Sequence, residues 1–315
     1  SDNDLWVEDT TGTASSTFVA AEGLIDMDVG TASGDEIIRE TTKVFAYQPG
    51  KSLLVMNTFV MDAAKTGLRQ RVGYYGSDNG IYVELDDSTT YFVKRSAVTG
   101  SVVNTRVAQS SWNIDVMDGT GPSGVTLDIT KAQLMWMDLE WLGVGTVRIG
   151  FVVAGLFIHC HSFYHSNIIT STYITTASLP LRYEITNTGD TAGASQLKQI
   201  SSSVISEGGY ELSGLQQAIS TPIATPYDLT SANTYYPIIS IRLKTSPDRL
   251  DAIVIQTALS NQGSSTIDIL KEALFKFQLE RDTFTSTPFE LTLVTAGNSA
   301  GADVYASMDW EEVSR

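Results

Sequence analysis

Segments of strand length, each ended by turn residues, recur along the whole 315-residue chain. KSLLVMNTFVM (51–61), GIYVELDD (80–87), TTYFVKRS (89–96), AQLMWMDLEWL (132–142), VRIGFVVAGLFIHCHSF (147–163) and LPLRYEITNT (179–188) are rich in β-branched and aromatic residues. Gly, Asn, Asp, Ser or Thr separate them. In YYGSDNGIYVEL the turn Ser77-Asp78-Asn79-Gly80 joins two strands, because Asn and Gly tolerate positive φ. A second tight reversal is expected at Ala154-Gly155. Four further strands are expected at 235–244, 250–260, 272–280 and 289–297; over 265–279 a short helix competes, with Ile267, Leu270, Leu274 and Phe277 at roughly helical spacing.

Many short strands and few helices predict an all-β chain folded as an antiparallel, jelly-roll-like β-sandwich. The expected organisation is an irregular N-terminal arm over 1–43, a sandwich over 44–212, a Gly-, Pro- and Ser-rich linker over 213–234, and a smaller β-rich region over 235–315. The chain carries 36 acidic and 20 basic residues, a formal charge of −16, with no Lys/Arg run. Such a field repels phosphate backbones and argues against nucleic acid as a partner. The single cysteine cannot close an intrachain disulfide. No stretch reaches the roughly 20 apolar residues of a membrane helix, so no membrane partner is expected. The N-terminal SDNDLWVEDTTG lacks the basic-then-apolar order of a secretory signal.

From about Val44 to Tyr210 several strings carry a resemblance: FAYQPGKSLLV, VGYYGSDNGIYVEL, the run from Arg106 to Val152, and SLPLRYEITNTG with QISSSVISEGGYE. Together they resemble a virion structural protein family of marine tailed bacteriophages, cyanophage-like in character. The strand order 51–184 also resembles a concanavalin-like jelly roll. The resemblance implies a virion component assembled in the host cytoplasm and carried on an extracellular particle. Its partners would be further copies of itself and other virion proteins. It supplies no catalytic residues.

Three groups of residues are candidates for chemistry. His159, His161 and His165 are all the histidines of the chain, and Cys160 lies among them. Strand alternation puts His159 and His161 on one face and Cys160 on the other. A His-x-His pair with a third imidazole is a candidate zinc, nickel or copper site. The weightier expectation is that Cys160 is core and the imidazoles are surface or interface groups, with no cofactor. Second, alternation in AQLMWMDLEWLG puts Trp136, Asp138 and Glu140 on one face and Met135, Met137, Leu139 and Trp141 in the core. A tryptophan beside two carboxylates resembles glycoside hydrolase faces. Jelly-roll glucanases use a Glu-x-Asp-x-Glu spacing, and Trp136 stands where the first carboxylate, the nucleophile, would be. A non-enzymatic face is therefore expected. Third, Asp115, Asp118 and Asp128 lie in a Gly-rich loop and are candidate calcium ligands. The plainer reading is turn capping.

The expected function is a non-enzymatic virion structural protein: a capsid decoration or cement subunit, or a neck, tail or fibre component. The alternative is a lectin-like module for host-surface glycan, with Trp112, Trp136 and Tyr164 as stacking aromatics. A glycan-degrading enzyme is the third reading.

Overall fold

The computed structural model describes residues 5–209, 215–222, 224–242, 253–256, 277–279 and 290–312. The chain divides into two compact units, Ser1–Tyr210 and Glu211–Arg315.

The first unit is an all-β sandwich. Its strands are β1 (Trp6–Thr11), β2 (Ser15–Val19), β3 (Leu24–Val29), β4 (Glu36–Thr41), β5 (Leu53–Val60), β6 (Leu68–Tyr75), β7 (Gly80–Asp86), β8 (Thr89–Ser96), β9 (Val103–Ala108), β10 (Gln133–Leu139), β11 (Val147–Val153), β12 (Leu156–Phe163), β13 (Leu181–Asn187) and β14 (Ser195–Ser206). They form two seven-stranded antiparallel sheets. The front sheet has the order β1-β4-β13-β6-β7-β8-β9 and the back sheet β12-β11-β10-β5-β14-β3-β2.

Period-2 alternation supplies the core. Met135, Met137 and Leu139 of β10 and Ile149 and Phe151 of β11 point inward from the back sheet. They share one cluster with Val72 and Tyr74 of β6, Ile81 and Val83 of β7 and Phe92 of β8 from the front sheet. Burying each such side chain contributes about 1.5–3 kcal/mol. Both hairpins read from the sequence form. Gly76 N–H bonds the Asn79 carbonyl at 2.9 Å between β6 and β7. Ala154 (φ 51°) and Gly155 (φ 79°) make the two-residue reversal between β11 and β12.

The irregular arm expected over 1–43 is instead four strands. β1 and β4 join the front sheet and β2 and β3 the back sheet. These strands are five or six residues long, and alternation is plain in β3 alone, as Ile25-Asp26-Met27-Asp28-Val29. They are fixed by partners far along the chain: β4 pairs with β13 and β3 with β14.

In β12 the register against β11 shifts between Ile149 and Gly150. Ile149 faces His161 and Gly150 faces His159, so Cys160 is the extra residue of a β-bulge. The loop before β10 uses this bulge. The Ile114 and Asp115 N–H groups both bond the Cys160 carbonyl, at 3.1 and 3.0 Å. Asn113 then bonds the Ser162 backbone twice: its Nδ2 donates to the carbonyl at 2.9 Å and its Oδ1 accepts from the N–H at 2.9 Å. A side-chain amide thus stands where a neighbouring strand would pair.

The second unit is also β in its described residues. It contains β15 (Leu215–Ser220), β16 (Tyr227–Leu229), β17 (Tyr236–Arg242), β18 (Ile253–Gln256), β19 (Phe277–Leu279), β20 (Glu290–Thr295), β21 (Ala302–Val304) and β22 (Ser307–Glu312). β15, β22, β18 and β19 form one small sheet, while β16 pairs with β21 and β17 with β20. Ile239, Ala306 and Met308 make a small core. The segment expected as a linker, 213–234, therefore carries two paired strands, β15 and β16. The helical alternative over 265–279 lies outside the described residues, apart from strand β19 at its end.

Candidate functional site

The outward face of the back sheet gathers most of the predicted ligand face. On β10, Trp136 and Asp138 point away from the core. Gly150 of β11 lies opposite Trp136 and Arg148 opposite Asp138. Gly150 gives the indole its place. A Cβ there would overlap the Ile158 carbonyl oxygen and stand 3.0 Å from Trp136 Nε1. The indole therefore lies across β11 and reaches two side chains of β12, Phe157 and His159, each with its ring centre 5.8 Å away. Trp136 is only 8% exposed, whereas Phe157 is 55% exposed.

The polar groups of this face are incompletely satisfied. Trp136 Nε1 and Asp138 Oδ1 are both buried without a hydrogen-bond partner. The other Asp138 oxygen pairs with the half-exposed Arg148 guanidinium. Burial pushes the Asp138 carboxyl up by more than Arg148 pulls it down. Glu140 follows the end of β10 and is exposed. Further along the same outward face a pocket of about 460 Å³ is lined by Asp28, Val60, Asp62, Gln196 and Lys198. Its walls mix polar and apolar groups, and the polar ones are internally paired: Gln196 Nε2 donates to Asp28 Oδ1 at 2.8 Å, and Lys65 Nζ to Asp62 Oδ2 at 2.7 Å.

The other predicted residues fall elsewhere. Trp112 is core, not ligand face. Its ring stacks on Phe92 at 4.1 Å and its N–H donates to the Val107 carbonyl at 3.2 Å. Tyr164 is exposed just after β12, away from β10. Asp115 caps its own loop. Oδ1 accepts the Met117 N–H at 2.8 Å and Oδ2 the Ser123 N–H at 2.7 Å. Asp118 and Asp128 accept from Thr120 and Thr130 in the same manner. These aspartates are occupied as turn caps, and the calcium reading finds no shared cage.

The bulge overturns the same-face reading of the histidines. His159 lies on the outward face beside Trp136, its Nε2 2.9 Å from Ser162 Oγ. His161, one residue beyond the bulge, points inward with Ile149 and packs against Phe163 at 4.6 Å. Its Nδ1 accepts the Asn113 N–H at 3.3 Å. Cys160 is also inward and buried. His165 lies flat on Tyr173 at 4.0 Å, donates from Nδ1 to the Gly145 carbonyl at 2.6 Å, and accepts from Lys94 Nζ at Nε2, 3.1 Å away. The three imidazoles thus sit in three environments, and no metal-sized group of His, Cys, Asp or Glu occurs among the described residues. Burial pushes both His161 and His165 down to about 4.

A second polar face was not foreseen. On the outward side of the front sheet lie Arg71 and Tyr75 of β6, Tyr82 and Glu84 of β7, Arg95 of β8, and Arg182 and Glu184 of β13, all buried. Arg71 bridges both carboxylates, Nε to Glu84 at 2.6 Å and Nη1 to Glu184 at 2.8 Å. Arg182 adds a contact to Glu184 at 3.2 Å. Arg95 lies over the rings of Tyr75 and Tyr82, at 5.5 and 5.3 Å. Burial alone would push the Glu184 carboxyl up, but Arg182 and Arg71 outweigh it and hold it at about 2. Glu184 is thus fixed as an anion, unsuited to general acid work at neutral pH. The sequence signal was present as alternation: Arg71-x-Gly73-x-Tyr75 and Tyr82-x-Glu84 put polar residues on one face of strands whose other face is core.

The fold is that of an antiparallel jelly-roll sandwich. No family model and no curated protein matches the chain. Solved structures of similar fold include a glycosyl hydrolase family protein from Mycobacterium fortuitum, with 8% identity, 65% of this chain and 93% of that one covered, and a TM-score of 0.43. A β-1,3-glucanase from Mycobacterium marinum is 9% identical over 65% of this chain and 92% of its own, with a TM-score of 0.40. A legume lectin-like domain from Entamoeba histolytica is 12% identical over 63% and 89%, with a TM-score of 0.33. Among the described residues no helix is long and apolar enough to cross a membrane.

Proposed function

We propose that this protein is a non-enzymatic, glycan-binding β-sandwich and that it serves as a structural component of a phage virion. The observation that carries the binding reading is the outward face of the back sheet. An exposed aromatic, Phe157, stands over a buried Trp136, beside the Asp138–Arg148 pair. Aromatic faces stack on the C–H surfaces of sugars, and neighbouring carboxylate and guanidinium groups take their hydroxyls.

The non-enzymatic reading rests on the same strand. Trp136 replaces the carboxylate that a Glu-x-Asp-x-Glu hydrolase needs as nucleophile. Asp138 is bound to Arg148, and no partner for a two-carboxylate mechanism stands at the first position. The virion role rests on the sequence resemblance over 44–210, with host-surface glycan as the ligand it implies. A glycan array followed by titration tests the binding: host polysaccharide binds the wild-type chain, and Phe157→Ala weakens binding by at least tenfold. No binding at millimolar sugar removes the lectin reading. Glu140→Gln is expected to leave behaviour on host envelope unchanged; loss of an envelope-degrading activity in that variant would restore the enzyme reading.

A second reading, assembly through subunit contacts, is favoured by exposed apolar residues outside that face, Leu142, Leu156 and Ile168. Sedimentation of the full chain over a concentration series distinguishes a monomeric module from a self-assembling subunit.

A further inference from the structure

The flank of the sandwich where β1 and β2 form the sheet edges is open. The two edges are tied by one side-chain bond, Ser16 Oγ to Glu8 at 2.7 Å. Beside it the interior is reached by a cleft of about 420 Å³ lined by Trp6, Phe18, Ile25, Arg39, Gln199 and Ile200. Phe18 pairs with Ile25 in register and so faces inward, yet it is 50% exposed. Trp6 packs edge-on against Tyr183 at 5.9 Å and lies 5.5 Å from the Arg39 guanidinium, whose charge is met by Glu8. Gln199 is 5% exposed, and its Oε1 is buried with no hydrogen-bond partner.

These features specify an occupant. Trp6, Phe18, Leu24, Ile25 and Ile200 share the walls with the polar Arg39 and Gln199, so the guest has an apolar ring and a polar end. The local charge is internally balanced, so the guest is neutral. A buried acceptor without a donor is costly, so the guest carries one hydrogen-bond donor for Gln199 Oε1. We propose that this cleft is a binding site for a neutral aromatic molecule bearing a single hydroxyl or N–H donor. The site is independent of the glycan face, because it shares none of that face's residues.

The test uses the full chain and two probes of one ring system, 2-naphthol with an O–H donor and 2-methoxynaphthalene with that hydrogen replaced by methyl, titrated by saturation-transfer NMR. The expected result is saturable binding of 2-naphthol, with the ether about five- to tenfold weaker because it leaves Gln199 Oε1 unpaired. Gln199→Met lowers 2-naphthol to the affinity of the ether. Phe18→Ala weakens both probes by about fivefold or more, and its melting temperature stays near wild type because Phe18 is half exposed. Equal binding of the two probes to the wild-type chain, no binding at millimolar concentration, or 2-naphthol affinity unchanged in Phe18→Ala overturns the proposal. Should Gln199→Met fail to fold, the probe pair and Phe18→Ala still decide.

Discussion

The two outward faces of this sandwich use buried polarity in opposite ways. On the front sheet, Arg71, Arg182, Glu84 and Glu184 answer one another, and aromatic rings fill the spaces between guanidinium groups. On the back sheet, an indole N–H and a carboxylate oxygen are buried without partners next to an exposed phenylalanine. The front face also leaves Arg69 Nε and Arg182 Nε without hydrogen-bond partners, but Glu84 and Glu184 are both ion-paired, and this network holds the strands of its sheet in one arrangement. An unfinished one is where an external hydroxyl gains most, because the protein has already borne the desolvation. On the proposed function, the front face has a structural task and the back face the recognition task.

The largest effect is expected from breaking the front network. Arg71→Met takes away the partner shared by two buried carboxylates, leaving Glu84 to Arg106 and Glu184 to Arg182, and chemical denaturation should record a loss of about 3 kcal/mol. A change below about 1 kcal/mol would mean that the face is more solvated than its burial indicates. Next comes Gly150→Ala, which drives a methyl group into the Ile158 carbonyl and the Trp136 indole. It should cost about 1–3 kcal/mol in the same measurement and also abolish glycan binding; the front network is untouched by it.

Acid separates further groups by pH window. His161 and His165 titrate near 4 in the fold and near 6.5 when unfolded, so the native state binds fewer protons between those values. Stability is fully present above about 6.5 and falls as pH drops toward 4. Glu184, held at about 2 against an ordinary value of 4.5, has its stabilisation lost in the lower window, as pH falls from about 4.5 toward 2. Melting temperatures at closely spaced pH values should therefore fall in two stages, and His165→Asn should flatten the upper one. A flat profile from 7 to 4 would show that the histidines are not neutral and buried. The smallest stability effect belongs to Phe157→Ala, within about 0.5 kcal/mol of wild type because the ring is half in solvent. Its glycan affinity should nevertheless fall by at least tenfold, and equal affinity would move the binding face elsewhere.

Much of this was legible in the sequence where one rule acted alone. Alternation in 133–139 gave the core methionines and the outward Trp136 and Asp138, and the turns at 77–80 and 154–155 followed from residues that accept positive φ. It failed where a second rule intervened. A single extra residue at Cys160 reversed the face of His161, and nothing in LFIHCHSF marks that bulge. Within 6–41, β1 and β2 pair with β4 and β3, but β4 and β3 are placed in their sheets by β13 and β14, strands far along the chain that no local pattern points to. Trp112 looked like a stacking platform, but no local pattern shows that its loop folds back over Phe92. The front network was written in the alternation of 69–75 and 80–86. What the sequence does not show is that Glu184 arrives from a distant strand to complete it.

Asn113 has a bearing on how such a subunit can grow. By bonding the Ser162 backbone with both ends of its amide, it blocks strand addition at that part of the β12 edge. The β9 edge, four of whose six residues are exposed, has its backbone engaged near one end alone, where Trp112 Nε1 donates to the Val107 carbonyl at 3.2 Å. The two edges are thus unequal: the Val103–Arg106 stretch of β9 has no side-chain plug among the described hydrogen bonds, and the Ser162 stretch of β12 has one.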